Sequence, residues 1–131
     1  MSRSQKRRVV ITGLGCVSPI GNTVAAAWEA LTAGTSGIAT ITRFDASAFS
    51  TRFAGEVKGF QIEDYIPAKE ARHMDTFIHY GMAAGMQAMQ DSGIEVTEAN
   101  ADRIGFSHRR ADHAEGLIRH PAVRVDVIGG C

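Results

Sequence analysis

The strongest constraint on the fold is a short apolar segment that runs directly into a glycine-rich turn. Residues 8–12 read Arg-Val-Val-Ile-Thr, with β-branched apolar side chains at successive positions. Apolar residues at alternate positions are typical of a strand with one exposed face, whereas an uninterrupted run is typical of a strand covered on both faces. Because such strands are central in sheets flanked by helices, the segment predicts an α/β fold.

The turn after this segment raises the question of a dinucleotide phosphate site. That fingerprint needs glycines at its first, third and sixth positions, and only Gly13 and Gly15 match, since Ser18 takes the third place. Pro19 offers no N–H to an anion, and Asp45 follows a loop-like stretch instead of the strand that should present a ribose ligand. We therefore interpret the loop as architecture, with glycines in conformations closed to other residues, and expect no nucleotide cofactor.

A first helix is predicted immediately beyond the turn. Asn22 or Thr23 can cap its N-terminus, and apolar residues follow at helical spacing until Gly34 ends it. Residues 35–50 are rich in Thr, Ser and Gly and predict a long irregular connection, whereas residues 52–57 predict a short strand.

A longer helix is predicted from about Ala68 to Ser92, with Pro67 in its first turn and Gly93 after its end. Apolar residues recur at steps of three and four, which indicates one buried stripe. The stripe comprises Met74, Phe77, Ile78, Gly81, Met82, Gly85, Met86 and Met89. We interpret its methionines as core packing and not as a cofactor or copper surface. Residues 103–107 predict the start of the next strand.

Composition excludes several classes of function. The 131 residues carry 14 basic and 14 acidic side chains, so the overall charge favours neither a nucleic-acid nor a membrane partner. No apolar run approaches the length of a signal peptide or a membrane span. The two cysteines, Cys16 and Cys131, form no metal-binding spacing and fit a reducing compartment. We therefore expect a cytoplasmic protein.

Many short segments in a fixed order carry a family resemblance. The segments are Arg7-Arg-Val-Val-Ile-Thr-Gly-Leu-Gly-Cys-Val-Ser-Pro-Ile-Gly-Asn22, Trp28-Glu-Ala-Leu-Thr-Ala-Gly34, Ser36-Gly-Ile38, Arg43-Phe-Asp45, Phe53-Ala-Gly55, Arg72-His-Met-Asp-Thr-Phe-Ile78, Gln87-Ala-Met-Gln-Asp-Ser-Gly93 and Arg103-Ile-Gly105. With these segments the chain resembles, over residues 6–105, the N-terminal part of the β-ketoacyl-acyl-carrier-protein synthase II family, the elongating condensing enzymes of bacterial fatty-acid synthesis.

The resemblance implies a thiolase-like fold of layered α/β structure, present here as an incomplete N-terminal portion, and a homodimeric enzyme without redox or nucleotide cofactor. The family transfers an acyl group to a cysteine and condenses it with malonyl-acyl-carrier protein, assisted by two histidines. Its Thr-Ala-Cys motif does not occur in this chain. Cys16, Cys131, Ser18, His73 and His79 match no nucleophile-and-base arrangement. We therefore assign no catalytic residue and expect the chain to be inactive alone.

One functional surface falls within the matched region. Members of the family bind the acidic acyl carrier protein through a basic patch at the start of the long helix, and Lys69 and Arg72 match that patch. His73 stands where the family usually has lysine, which lowers the charge near neutral pH. The alternative interpretation is that these are ordinary charges on a solvated helix face.

The last part of the chain departs from the family. We divide the chain into residues 1–106, the synthase portion, and residues 107–131, a non-matching tail that is frame-shifted or disordered. In place of the family's glycine-rich segment, the tail is rich in arginine and histidine, which is typical of a GC-rich gene translated out of frame. A metal site of His108, His113 and His120 is disfavoured, because their spacing matches no common zinc motif.

Three hypotheses for the function follow. The first is a catalytically incomplete fragment of a condensing enzyme. The second is a non-catalytic module that binds acyl carrier protein or an intact synthase subunit. An oxidoreductase with a degenerate nucleotide loop is the third and the least supported by the residues.

Overall fold

The structure, a computed structural model, describes residues 9–108 and 123–127, and side chains as far as residue 105. These residues form three α-helices, two pairs of β-strands and two single 3₁₀ turns. The elements are α1 (Val24–Thr32), β1 (Ile38–Thr40), β2 (Phe53–Gly55), a 3₁₀ turn (Ile62–Asp64), α2 (Ala68–Ala71), α3 (Thr76–Ser92), a 3₁₀ turn (Ala101–Arg103), β3 (Ile104–His108) and β4 (Val123–Val127).

The strands pair in two ways. β1 and β2 are antiparallel, with Ile38 opposite Gly55 and Thr40 opposite Phe53. β3 and β4 are parallel, with Ile104 beside Val123 at the start of the register. The predicted strands at 52–57 and 103–107 are confirmed as β2 and β3. The prediction that 35–50 is irregular throughout is wrong, because β2 supplies a hydrogen-bonding partner for β1 that local sequence does not reveal.

The predicted central strand at residues 8–12 is not formed in the part of the chain that the structure describes. Residues 9–12 belong to no strand, and Val9 and Ile11 are 92% and 83% exposed. A strand is held by ladder hydrogen bonds from its neighbours, and no segment between residues 9 and 108 pairs with this one. The prediction of burial on both faces is therefore wrong for the described residues.

The predicted helix ends are confirmed. The Thr23 hydroxyl accepts the Ala26 N–H at 3.2 Å and caps α1, which settles the choice between Asn22 and Thr23. Gly34 and Gly93, which follow α1 and α3, have φ angles of +67° and +64°. This left-handed conformation favours glycine, and at each of the two positions it directs the backbone away from the axis of the preceding helix.

The long helix predicted from Ala68 to Ser92 is divided into α2 and α3. Asp75 has an extended backbone, with φ −72° and ψ 153°, and precedes the first residue of α3. Backbone hydrogen bonds from the His73 and Met74 N–H groups to Glu70 and Ala71 close the intervening turn. The apolar spacing crosses this break without losing its period, so periodicity alone could not locate it.

The face of α3 that is buried carries small residues. Gly81, Ala83, Ala84, Gly85 and Ala88 are buried. The methionines of the predicted stripe are less covered: Met86 is 45% exposed, and together with Met82, Gly85 and Met89 it lines an open apolar groove of about 390 Å³. Met74 and Met82 pack against the buried cluster of Ile62, Ile66 and Ala71, so the prediction of core packing is confirmed for these two methionines and is wrong for Met86.

The glycine turn, residues 13–15, packs against the face of α3 that carries the small buried residues. A Cβ atom at Gly13 would overlap the carbonyl oxygen of Ala88, and one at Gly15 would overlap that of Ala84. Neither glycine has a positive φ, so the expected special conformation is wrong. The glycines are instead required because the two backbones lie in direct contact.

Candidate functional site

The predicted basic pair lies on α2, at one end of the described core. Lys69 is inside this helix of four residues, and Arg72 is its C-terminal capping residue. Both side chains are exposed, as the sequence predicted. Residues three positions apart on a helix lie on the same face, so the two cations are neighbours. Within residues 9–105, neither side chain forms an ion pair or a hydrogen bond, and both are available to a partner.

A compact apolar cluster holds α2 in place. Ala71, on the side of α2 opposite the basic pair, is 6% exposed and packs with Ile62 and Ile66, which are 9% and 8% exposed. Met74 and Met82 pack against the same cluster. Because an isolated helix of four residues is far too short to be stable in water, this packing maintains α2.

A histidine of α3 adds a polar link to the same helix. His79 Nε2 lies 2.9 Å from the carbonyl oxygen of Ala71, the last residue of α2. A carbonyl oxygen only accepts hydrogen bonds, so Nε2 carries the proton and donates. The same oxygen also accepts the Met74 N–H at 3.1 Å. No sequence spacing signals this contact, and from the sequence His79 was a candidate only for a catalytic role.

Acidic side chains lie near the basic pair along the chain. Glu63, Asp64, Glu70 and Asp75 are all exposed. Glu70 follows Lys69 directly, and adjacent helical residues point about 100° apart, so the carboxylate does not lie between the two cations. The surface is therefore of mixed charge, with its positive part confined to one face of α2.

The glycine turn is occupied by contacts to α3 and presents no phosphate site. The Leu14 N–H donates to the Asp91 carboxylate at 2.9 Å, and the Cys16 N–H donates to Gln87 Oε1 at 3.1 Å. An anion would need these N–H groups and would be repelled by the Asp91 carboxylate. This geometry agrees with the interpretation of the loop as architecture.

The candidate nucleophiles have no activating neighbours among the described residues. Cys16 is half-buried and is a free thiol. The Ser18 hydroxyl donates to the carbonyl oxygen of Gly21 at 3.0 Å, within the predicted turn. His73 is exposed, and His79 is engaged with Ala71. The structure therefore assembles none of these residues into a nucleophile-and-base pair.

Two polar networks were not predicted from the sequence. Gln87 on α3 accepts from the Cys16 N–H and donates to the Asn22 carbonyl and the Tyr65 hydroxyl, both at 2.8 Å, so one side chain joins three segments. A glutamine on a helix gives no sequence signal of such a role, because the partners of Gln87 lie 22 to 71 residues away. The second network is centred on Glu56.

The Glu56 carboxylate closes the connection between β1 and β2. It accepts from the Thr42 hydroxyl at 2.7 Å and from the Thr42 and Arg43 N–H groups. These hydrogen bonds, led by that of the Thr42 hydroxyl, lower the pKa of Glu56. The Arg43 guanidinium in turn donates to the Tyr80 hydroxyl at 2.8 Å and so ties the connection to α3.

Neither a metal centre nor a membrane span is found in the described residues. Between residues 9 and 105, no three His, Cys, Asp or Glu side chains come together as metal ligands. The sequence candidates His113, His120 and Cys131 lie outside the described residues, as does most of the predicted tail. None of the described helices is long and apolar enough to cross a bilayer.

Comparison with known proteins gives a consistent result. Residues 6–111 match the family described as "Beta-ketoacyl synthase, N-terminal domain". The chain is 63% identical over 102 residues to a 3-oxoacyl-[acyl-carrier-protein] synthase 2 of Vibrio cholerae and 60% identical over 102 residues to that of Vibrio harveyi. Each match covers 78% of this chain and 25% of the relative, so the chain spans about a quarter of the length of these relatives.

Solved structures of the same kind share the fold. The structure described as the ishigamide ketosynthase/chain length factor matches with a TM-score of 0.61 at 34% identity, over 78% of this chain and 25% of that one. A β-ketoacyl synthase from Burkholderia phymatum matches with a TM-score of 0.62 at 30% identity, over 79% and 26%. A structure of a type II PKS acyl-carrier protein in complex with its ketosynthase matches with a TM-score of 0.55 at 24% identity, over 76% of this chain and 26% of that one. The described residues therefore form a portion of the thiolase-like α/β fold.

Proposed function

Because this chain belongs to the β-ketoacyl synthase family, we propose that it corresponds to the carrier-binding portion of an enzyme that condenses acyl groups with malonyl-acyl-carrier protein in fatty-acid elongation. Its own contribution is to bind acyl carrier protein through Lys69 and Arg72. It does not complete the condensation alone.

The observation that carries this proposal is the pair of unpartnered cations on a helix held firmly in place. Lys69 and Arg72 are exposed on one face of α2, and Ala71 anchors the opposite side of that helix. Acyl carrier proteins are acidic, so two fixed positive charges supply an attractive and orienting contact. One solved relative of the same fold is a ketosynthase in complex with its acyl-carrier protein, which supports the choice of partner.

Charge reversal of the pair tests the proposal. The 131-residue chain carrying Lys69→Glu with Arg72→Glu is titrated with acyl carrier protein by fluorescence anisotropy, at several salt concentrations. Each exchange replaces an attraction by a repulsion, and the affinity is expected to fall roughly five- to thirtyfold at low salt. The difference is expected to shrink as salt shortens the Debye length to about 8 Å at 0.15 M.

A matched control separates this site from overall charge. Lys58→Glu with Arg103→Glu changes the net charge by the same amount at two other exposed positions outside α2. The affinity of this variant is expected to stay close to that of the wild type. Equal losses in the two double variants would show a general charge effect and would remove α2 as the binding site.

A separate part of the proposal is that this chain lacks the groups needed to catalyse the condensation. Cys16 lies in the turn against α3, where its N–H donates to Gln87, and no general base accompanies its thiol among the described residues. An acyl-accepting thiol needs a lowered pKa and donors for the thioester oxygen. The purified chain is expected to give no condensation product with acyl- and malonyl-carrier protein, and turnover above background would refute this part.

A second candidate function is favoured by the apolar surface of the chain. Val9, Val10 and Ile11 are 92%, 68% and 83% exposed, and Trp28 and Leu31 on α1 are 65% and 59% exposed. Burial of such a surface would be strongly favourable, so it fits a module that pairs with another synthase polypeptide. Coexpression with a polypeptide equivalent to the last three-quarters of the Vibrio cholerae relative is expected to give a soluble complex on size exclusion. Two species that elute separately would exclude this function.

The remaining parts of the proposal concern the assembly, the compartment and the tail. We place the protein in the cytoplasm and expect the complete enzyme to be a homodimer, as the family resemblance implies. We further propose that the tail, predicted from residue 107, arises from a shifted frame beyond residue 111, where the family match ends. Sequencing the gene tests this last point, because an intact frame without synthase-like sequence in either neighbouring frame would exclude it.

A further inference from the structure

We propose that His79 is a positioning residue for the carrier-binding face of α2. The inference rests on the proposed function of Lys69 and Arg72. A third side chain, His79, would hold the backbone of α2 in the orientation that presents these two cations to the partner. His79 lies on α3 and donates from Nε2 to the carbonyl oxygen of Ala71, 2.9 Å away. Ala71 lies between the two cations in the sequence, so this bond holds the backbone that carries them.

The need for such a link follows from the size of α2. Its four residues provide few internal hydrogen bonds: the Arg72 N–H donates to the Ala68 carbonyl at 3.3 Å, and the Glu70 and Ala71 N–H groups donate to Pro67. A helix of one turn does not persist through its own backbone bonds. Its last carbonyl groups have no partner within the helix, and the Ala71 oxygen is satisfied from outside by the His79 ring and the Met74 N–H.

The apolar cluster and the histidine have different effects on α2. Ala71 packing against Ile62 and Ile66 attaches the helix to the core and keeps the basic pair on its outer side, but such contact is non-directional and opposes small tilts and shifts of the helix only weakly. A hydrogen bond is directional, and the one from His79 acts at the C-terminal end of α2, beside Arg72. The bond therefore narrows the range of directions in which the basic face points.

Two substitutions test the role of His79 in the 131-residue chain. His79→Leu removes the donor at similar volume, whereas His79→Gln keeps an N–H donor at a comparable distance from the backbone. Gln90→Leu is the matched control, since it replaces an exposed polar side chain of α3 beyond α2. Hydrogen exchange of the Arg72, His73 and Met74 amides is measured alongside the affinity for acyl carrier protein.

We expect His79→Leu to accelerate exchange at these amides about fivefold, the effect of losing one net hydrogen bond. Exchange in the second half of α3 is expected to stay unchanged, which shows that the core is intact. The affinity for acyl carrier protein is expected to fall by less than this factor, about twofold, because only the fraction of molecules with α2 in place can bind and that fraction is large in the wild type. His79→Gln is expected to restore both quantities, and Gln90→Leu to change neither.

The outcomes separate this inference from the proposed function. If the wild-type chain does not bind acyl carrier protein, the proposed function fails, while the exchange experiment still reports whether His79 holds α2. If charge reversal at Lys69 and Arg72 weakens binding but His79→Leu leaves affinity and exchange unchanged, the positioning role is overturned. Failure of His79→Gln to restore the exchange rates would also overturn it, since the role requires only a donor to Ala71.

Discussion

Replacement of Gly15 by alanine is the sharpest test of how the glycine turn is held. The new Cβ would overlap the Ala84 carbonyl oxygen and would lie 2.8 Å from the Ala84 carbonyl carbon and 2.9 Å from the Ala88 nitrogen. All three atoms belong to the backbone of α3, so no side-chain rotation can relieve the contact. The turn must therefore move away from the helix, which also strains the hydrogen bond from the Cys16 N–H to Gln87.

The magnitude follows from the rigidity of these neighbours. Overpacking of a well-packed core costs typically about 1–3 kcal/mol, and contact with backbone atoms places Gly15→Ala at the upper end, about 3 kcal/mol. For a urea dependence of about 1.5 kcal/mol per molar, the unfolding midpoint falls by about 2 M. Unfolding is followed by circular dichroism at a wavelength that reports helix, because α3 is the longest described element.

A second glycine provides the control. A Cβ added to Gly105 would have no atom of the described residues within 4 Å, and this residue has no positive φ. Gly105→Ala is therefore expected to leave stability unchanged or to raise it by about a few tenths of a kcal/mol. The same midpoint for Gly15→Ala and Gly105→Ala would refute the account of close backbone contact. It would mean that the turn does not lie on α3 in solution.

Two further predictions concern the polar networks. Glu56→Gln is expected to lower the free energy of unfolding at neutral pH and to match the wild type in acid. The fold lowers the pKa of Glu56, so the ionised carboxylate stabilises the protein above the pKa of the unfolded chain. This stabilisation is lost as the pH falls through the lower pKa of the folded protein. Urea midpoints measured from neutral pH into acid check this, and a pH-independent difference would contradict it. Gln87→Leu is expected to cost about 1–3 kcal/mol, since it leaves the Cys16 N–H and the Asn22 carbonyl without their partner, whereas Gln90→Leu is expected to cost little. Equal urea midpoints for the two variants would contradict this role.

Local sequence rules succeeded where the structure depends on local interactions. A hydroxyl before a helix and a glycine after it act within one turn, so Thr23, Gly34 and Gly93 could be identified as helix ends. The exposure of Lys69 and Arg72 was predictable for the same reason, because both lie off the apolar spacing.

Predictions failed where the structure depends on distant segments. Burial of residues 8–12 and of the methionine groove requires covering elements, which are not found in the described part of the chain. The break between α2 and α3 was hidden because the apolar period continues through it. The contact from His79 to Ala71 could not be predicted, since a histidine eight residues from a carbonyl group carries no recognisable spacing.

The central claim is that α2 is the surface that meets acyl carrier protein. Titration of the isotope-labelled 131-residue chain with unlabelled carrier protein, followed by amide chemical shifts, tests it most directly. The account predicts that the amides of residues 68–74 shift first and furthest, and that these shifts are lost in the Lys69→Glu, Arg72→Glu variant. Saturable shifts confined to residues outside α2 would contradict it.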